Sequence, residues 1–163
     1  MFEAAAITAA DPREFHAELA RQAEGLLGGE RNWIANAANL ASLIYNSLPD
    51  LNWAGFYFLR GDTLVLGPFQ GKPACVRIAM GRGVCGAAAE RRQTMRVDDV
   101  NAFPDHIACD SASRSELVVP LIAGGKVLGV LDLDSPTPSR FGADDQAGIE
   151  ALAAIFLKAS DAP

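Results

Sequence analysis

The chain has 163 residues, of which 50 % are hydrophobic and 21 % charged, a composition that suits one soluble domain large enough to bury a core. Its 20 acidic and 14 basic side chains give a formal net charge of -6, and apart from Arg91-Arg92 the basic residues are scattered, so no nucleic-acid surface is expected. No apolar run nears the roughly 18 residues that span a bilayer. Met1-Phe2-Glu3-Ala4 has neither a basic n-region nor a sustained apolar h-region, so no membrane contact or export is expected and the location is read as cytoplasmic.

Two helices are expected first, over about 11–48. Asp11-Pro12 is a helix start, a capping side chain followed by a proline at the first helical position. Phe15, Leu19, Ala23, Leu26 and Leu27 recur at helical spacing until Gly28-Gly29. The second helix carries Ile34, Ala37, Ala41, Ile44 and Leu48 on one stripe, with an Asn-rich face expected in solvent, and Pro49 ends it.

From 51 the pattern turns to strands. WAGFYFLR and TLVLGPF are rich in aromatic and β-branched residues and are split by the turn signal Gly61-Asp62. CVRIAM reads as a short third strand. GRGVCGAAAERR reads as a glycine loop opening into a helix, and TMRVDDV as another brief strand. Asn101 to Ser115 is polar and irregular. A second hairpin follows, ELVVPLIA and KVLGVLDLDS about Gly124-Gly125, and a closing helix over about 142–158 turns Ile149, Leu152, Ala153 and Phe156 inward. Hairpins with flanking helices give an antiparallel α+β domain. GRG is not GxGxxG and crossover spacing is missing, so dinucleotide binding is disfavoured.

Chemistry concentrates in three cysteines, Cys75, Cys85 and Cys109. An odd number cannot close a complete disulfide framework within one chain, and thiols in a reducing compartment are more often redox-active or metal-binding than permanently bridged. Cys85 lies where a glycine loop opens a helix, and a helix N-terminus lowers a thiol pKa. Cys109 lies in the long polar loop three residues after His106, beside Asp110, whose charge raises its pKa. The local physics alone slightly favours Cys85 as a reactive thiolate. A zinc site from Cys75, Cys85, Cys109 and His106 is disfavoured because no close CxxC pair exists, and no bound metal is expected.

Asp132 and Asp134 are two apart on a strand, so both project to one face while Leu131 and Leu133 project to the other. Two carboxylates held close are costly unless a cation or a shared proton relieves them. Whether Glu116 joins them depends on hairpin register. With a two-residue turn at Gly124-Gly125, residue 123 pairs with 126 and Glu116 faces Leu133, on the opposite face. One extra loop residue or a bulge places it opposite Asp134 instead. Both registers remain open.

Read together, NWAGFYFL (52–59), LGPFQGKPACVRI (66–78), GRGVCG (81–86), HIACD (106–110), SELVVPL (115–121) and GVLDLDS (129–135) resemble a GAF domain, and more narrowly the free methionine-(R)-sulfoxide reductases. The resemblance covers about residues 30 to 158. It implies a six-stranded antiparallel sheet between helices, a ligand pocket under the loops, and a homodimer. It also implies reduction of free methionine sulfoxide with no bound cofactor, recharged by a thioredoxin-type dithiol. Residue by residue, it implies Cys109 as nucleophile, Cys75 as main resolving thiol and Cys85 as auxiliary. Glu116 joins Asp132 and Asp134 in an acidic substrate-binding group, and Trp53 and Tyr57 form a wall for the substrate methyl. Most GAF domains bind small ligands and catalyse nothing, so a non-catalytic sensor or a thiol redox switch is the alternative.

Overall fold

A computed structural model describes residues 2–107 and 109–162. Helices α1 (Pro12–Leu27) and α2 (Trp33–Ser47) precede the hairpin β1 (Trp53–Arg60) and β2 (Thr63–Gly71). The short strand β3 (Arg77–Ala79), helix α3 (Gly83–Arg91) and strand β4 (Met95–Val97) follow, and a 3₁₀ turn, Val100–Ala102, opens the long loop. The second hairpin, β5 (Ser115–Ala123) and β6 (Lys126–Ser135), and helix α4 (Ala143–Ala159) complete the chain. The six strands form one sheet in the order β3-β2-β1-β6-β5-β4, and every pairing is antiparallel. This is the α+β architecture expected from the hairpin pattern. Among the described residues, no helix is long and apolar enough to cross a membrane.

The starts of α1 and α2 are set locally. The Asp11 side chain accepts from Arg13 N at 2.8 Å, and the Asn32 side chain accepts from Ile34 N at 3.0 Å and Ala35 N at 2.9 Å. Both satisfy amides that a first helical turn leaves without partners. Period-two alternation then divides the sheet into two chemistries. Ala54, Phe56 and Phe58 of β1, Leu117 and Val119 of β5, and Leu131 and Leu133 of β6 face α1, α2 and α4 in the main core. The opposite face carries Trp53, Tyr57, Val118 and Val130 and is covered by α3 through Val84, Cys85, Ala88 and Ala89. Gly86 permits the close seating of α3: a Cβ there would stand 2.5 Å from the Ala79 carbonyl oxygen.

Three local expectations need correction. The buried face of α2 is Trp33, Asn36, Ala37, Leu40, Ala41, Leu43 and Ile44, whereas Ile34 is 52 % exposed. Trp33 displaces it by inserting between Phe58 and Phe156, with ring centroids 5.1 and 4.6 Å away, a larger apolar payload than isoleucine provides. The Asn-rich face is not all in solvent either: Asn36 is 1 % exposed, and its amide donates to the Glu30 carbonyl and the Ser160 hydroxyl, both at 3.0 Å. Finally, the third strand covers only Arg77–Ala79, so Cys75 lies in the loop before it.

The β5–β6 hairpin resolves the register question. Ala123 pairs with Lys126 and Ile122 with Val127, as a two-residue turn requires, but the ladder then shifts to Leu121 opposite Gly129. The extra residue, Leu128, moves every later pair by one and brings Glu116 opposite Asp134. Gly129 is essential to this bulge because a Cβ there would collide with the Tyr57 carbonyl oxygen on β1. Gly129→Ala is expected to lower unfolding stability by about 1–3 kcal/mol, the usual range for overpacking. An unchanged midpoint in chemical denaturation contradicts that role.

Candidate active site

The second face of the sheet places three carboxyl groups side by side. Asp134 stands opposite Trp53 and Asp132 opposite Gly55 across β1–β6, while Glu116 stands opposite Asp134 across β5–β6. Helix α3 lays Cys85 over them. The Cys85 thiol donates to Glu116 Oε1 at 3.8 Å, and Cys85, Glu116 and Asp132 each offer a ligand atom within 4.8 Å of the other two. These three residues are only 3 %, 6 % and 5 % exposed; Asp134 is half-buried beside them.

Two loops form the upper wall, one leading to β3 and one between the 3₁₀ turn and β5. A disulfide between Cys75 and Cys109 joins them, with Cα atoms 5.5 Å apart, inside the separation a bridge requires. Polar handles on β1, and Asn52 immediately before it, fix both loops. Trp53 Nε1 donates to the Lys72 carbonyl at 3.2 Å, and Tyr57 OH donates to the Cys75 carbonyl at 2.9 Å. Asn52 Nδ2 donates to Asp110 Oδ2 at 3.2 Å and to Ser113 Oγ at 3.0 Å. Lys72 Nζ lies 3.8 Å from the same Asp110 oxygen and links the loops a second time. Beneath them is a narrow cavity of about 40 Å³ whose wall includes Trp53, Tyr57, Cys85, His106, Cys109, Glu116, Asp132 and Asp134.

Electrostatics follow from this burial. Desolvation, then the neighbouring charges of Asp132 and Asp134, pushes the Glu116 carboxyl well above the ordinary carboxylate range. Burial first and Asp132 second do the same to Asp134. Asp132 rises, chiefly through burial, to about 7. Burial lowers the His106 imidazolium pKa, so its approach to Glu116, Nε2 to Oε2 3.8 Å, is not a charged pair near neutrality. Asp110 is the contrast: the Ala112 amide, Asn52 and Lys72 hold it below the usual value.

All eight residues proposed from the sequence therefore line one cavity or bridge its wall, but three acquire a different character. The helix-terminus argument for a reactive Cys85 fails. Its thiol is pushed well above its ordinary pKa by burial and by Asp132 and Glu116, and a terminus contribution of about 0.3–1 kcal/mol does not offset that. Trp53 and Tyr57 are more than an apolar wall, since each also anchors the Cys75 loop. Asn52, Lys72 and Ser113 were not singled out by sequence reasoning. Nothing in the spacing marks them, because their partners lie on a loop about 60 residues away from Asn52.

Asp132 generates a pH-dependent prediction. Its pKa in the folded state, about 7, lies above the ordinary value of 3.8, so the folded protein retains a proton that the unfolded chain releases. The stability linked to this group is complete below about pH 4 and is lost as pH rises through 7. Asp132→Asn removes that loss. Its stability relative to the parent should improve by roughly 2–4 kcal/mol more at pH 8 than at pH 4, since one pKa unit is worth about 1.4 kcal/mol. Equal effects at both pH values, measured by denaturant unfolding, exclude a buried, proton-holding Asp132.

Comparison with known proteins agrees with this geometry. The sequence profile described as GAF domain matches residues 11–158. The chain is 53 % identical over 145 residues to the free methionine-R-sulfoxide reductase of Escherichia coli (strain K12), covering 89 % of this chain and 88 % of that one. The free methionine-R-sulfoxide reductase of Neisseria meningitidis, solved in complex with its substrate, superposes with a TM-score of 0.93 at 43 % identity over 98 % of this chain and 95 % of that one. A solved GAF sensor protein from Burkholderia vietnamiensis gives 0.90 at 58 % identity, over 93 % and 96 % of the two chains. The chain belongs to the GAF domain family, among the free methionine-R-sulfoxide reductases.

Proposed function

We propose that this chain is an oxidoreductase that reduces free L-methionine-(R)-sulfoxide to methionine by thiol chemistry. The observation that carries the proposal is a disulfide, Cys75–Cys109, in the wall of a cavity floored by three carboxyl groups. A sensor pocket has no need of either. The 53 % identity to the Escherichia coli reductase supports the same reading.

Cys109 is the attacking thiol. It lies in the cavity wall on a loop, whereas the Cys85 thiol is held protonated by burial and its acidic neighbours. The Cys109 thiolate attacks the sulfoxide sulfur and forms an S–S bond, while the sulfoxide oxygen takes up two protons and leaves as water as the S–O bond breaks. Water then attacks the Cys109 sulfur, the S–S bond breaks, methionine leaves, one proton is returned, and Cys109 is left as a sulfenic acid. Burial raises the Glu116 and Asp134 carboxyls well above the ordinary carboxylate range, which favours the protonated form that can serve the leaving oxygen as an acid. The Cys75 thiol then displaces that oxygen as water and forms the Cys75–Cys109 disulfide. An external dithiol of the thioredoxin type restores both thiols and becomes a disulfide itself, so the electrons balance.

Substrate recognition rests on complementary chemistry. The Asp132 carboxyl, with its pKa near 7, ionises readily when an ammonium group enters the cluster, and the pair offsets the repulsion among the acids. The stacked Trp53 and Tyr57 rings, centroids 5.8 Å apart, offer an apolar surface to the methylsulfinyl group and orient sulfur toward Cys109.

Two experiments test this reading. N-acetylation removes the ammonium and leaves buried carboxylates without a partner, so kcat/KM for the N-acetylated sulfoxide should fall on the order of 100-fold or more below that for the free amino acid. Comparable rates exclude ammonium recognition, and no turnover of the free R epimer excludes the enzyme in favour of a ligand sensor. In single-turnover assays without reductant, Cys109→Ser should release no methionine. Cys75→Ser should release about one methionine per site and then stall, because attack precedes resolution. Cys85→Ser should retain cycling. First-turnover loss in Cys85→Ser with Cys109→Ser spared reverses the roles of the two thiols.

A further inference from the structure

Cys85 has no role in the proposed reduction, yet with Glu116 and Asp132 it forms a three-residue donor set. Their ligand atoms converge within 4.8 Å of one another in the cavity floor. Glu116 approaches Cys85 Sγ through Oε1 at 3.8 Å and His106 Nε2 through Oε2 at 3.8 Å. A tetrahedral zinc ion, with Zn–S near 2.3 Å and Zn–O and Zn–N near 2.0 Å, holds sulfur and oxygen ligands about 3.5 Å apart and nitrogen and oxygen about 3.3 Å apart. The Glu116–Cys85 and Glu116–His106 separations need to contract by a few tenths of an ångström, whereas pairs as far as 4.8 Å apart must close by more and the His106 ring must swing in from outside that group.

An independent observation points to an unmet ligand at this position. Asp132 is 5 % exposed and lines the cavity, yet its Oδ1 is buried with no hydrogen-bond partner among the described residues. Buried acceptors of this kind normally have a partner. We infer that Cys85, Glu116 and Asp132, with His106 as the fourth ligand, form a binding site for a borderline-soft divalent cation of the zinc type.

The ligand chemistry selects the class of cation. One thiolate, two carboxylates and an imidazole suit zinc, whereas magnesium and calcium favour oxygen-only shells with six or more ligands. Neither disulfide cysteine belongs to the set, so the site differs from any arrangement of Cys75, Cys85 and Cys109 around one ion. Its position overlaps the carboxyl group assigned above to the substrate ammonium. A bound cation therefore competes with substrate, a consequence that rests on the proposed function, whereas binding itself does not.

The test measures binding without turnover. In the full-length Cys75→Ser/Cys109→Ser variant, Cys85 is the only thiol, so adventitious chelation by the loop pair is removed. Titration with Zn²⁺ should give about one equivalent per chain by calorimetry, and Mg²⁺ at the same concentration none. Co²⁺ should produce an absorption band from thiolate-to-cobalt charge transfer that saturates at about one equivalent and is displaced by Zn²⁺. The band reports ligation by Cys85 directly and requires no change to the buried residues. His106→Ala, on the loop, should weaken Zn²⁺ binding at least tenfold while leaving the cobalt–thiolate band in place. No stoichiometric Zn²⁺ binding, or binding without the cobalt–thiolate band, overturns the site. His106→Ala binding with parental affinity overturns the assigned ligand set. Failure of sulfoxide turnover in the parent protein has no bearing on these readings.

Discussion

Holding Glu116, Asp132 and Asp134 next to one another, largely out of water, is the constraint around which the second face of the sheet is organised. Water would screen such a group cheaply; the interior does not, and an isolated buried carboxylate is among the most expensive groups a fold can carry. The resolution is an upward shift of the carboxyl pKa values, which favours the uncharged form. Burial, followed by mutual repulsion, keeps Glu116 and Asp134 above the ordinary carboxylate range and sets Asp132 near 7. In the proposed function the cluster supplies an acidic proton and then a counter-charge to the substrate ammonium, two roles that one set of residues can fill by changing protonation state.

The cluster depends on a single irregularity far from it. Without the shift at Leu121/Ile122, Glu116 would pair with Leu133 and point into the apolar core among α1, α2 and α4. The bulge stands at the turn end of the hairpin, close to Gly129, while Glu116 and Asp134 stand at the other end. One added residue thus changes side-chain parity along the whole remaining ladder. The same end of the sheet anchors the loops that carry the disulfide cysteines. Asn52, Trp53 and Tyr57 run consecutively or nearly so at the start of β1, and each donates a hydrogen bond to a loop that carries or adjoins a disulfide cysteine. An aromatic strand end accordingly serves as cavity wall and loop anchor at once.

How much of this was legible from sequence depends on the range of the interactions. The hairpins were readable because Gly61-Asp62 and Gly124-Gly125 specify turns locally, and the common face of Asp132 and Asp134 follows from strand periodicity alone. The position of Glu116 was not, because the bulge is fixed by contact between Gly129 and the Tyr57 backbone, a tertiary contact with no local signature. The orientation of α2 failed for a related reason: Ile34 and Trp33 compete for one interior position, and the outcome is decided by Phe58 and Phe156. Asn52 carried no signal at all, since an asparagine before a strand reads as an ordinary turn residue.

Under the proposed reaction, the contrast between Cys85 and the loop cysteines gives a physical reason for keeping the reactive thiol and the acid supply apart. A nucleophile must exist as a thiolate for a useful fraction of the time, but the environment that keeps a carboxyl group protonated is dry and negative, and it raises a thiol pKa by the same physics. Cys85 shares that environment and becomes a hydrogen-bond donor to Glu116. Cys75 and Cys109 sit on loops at the opposite wall, where Lys72 lies across from Asp110 and solvent is nearer. Separating the two chemistries across the width of a cavity lets one pocket hold carboxyls of raised pKa and a disulfide-forming cysteine pair together, as the proposed reduction of a sulfoxide between them requires. Placing the nucleophile on α3 would have joined incompatible pKa requirements at one point.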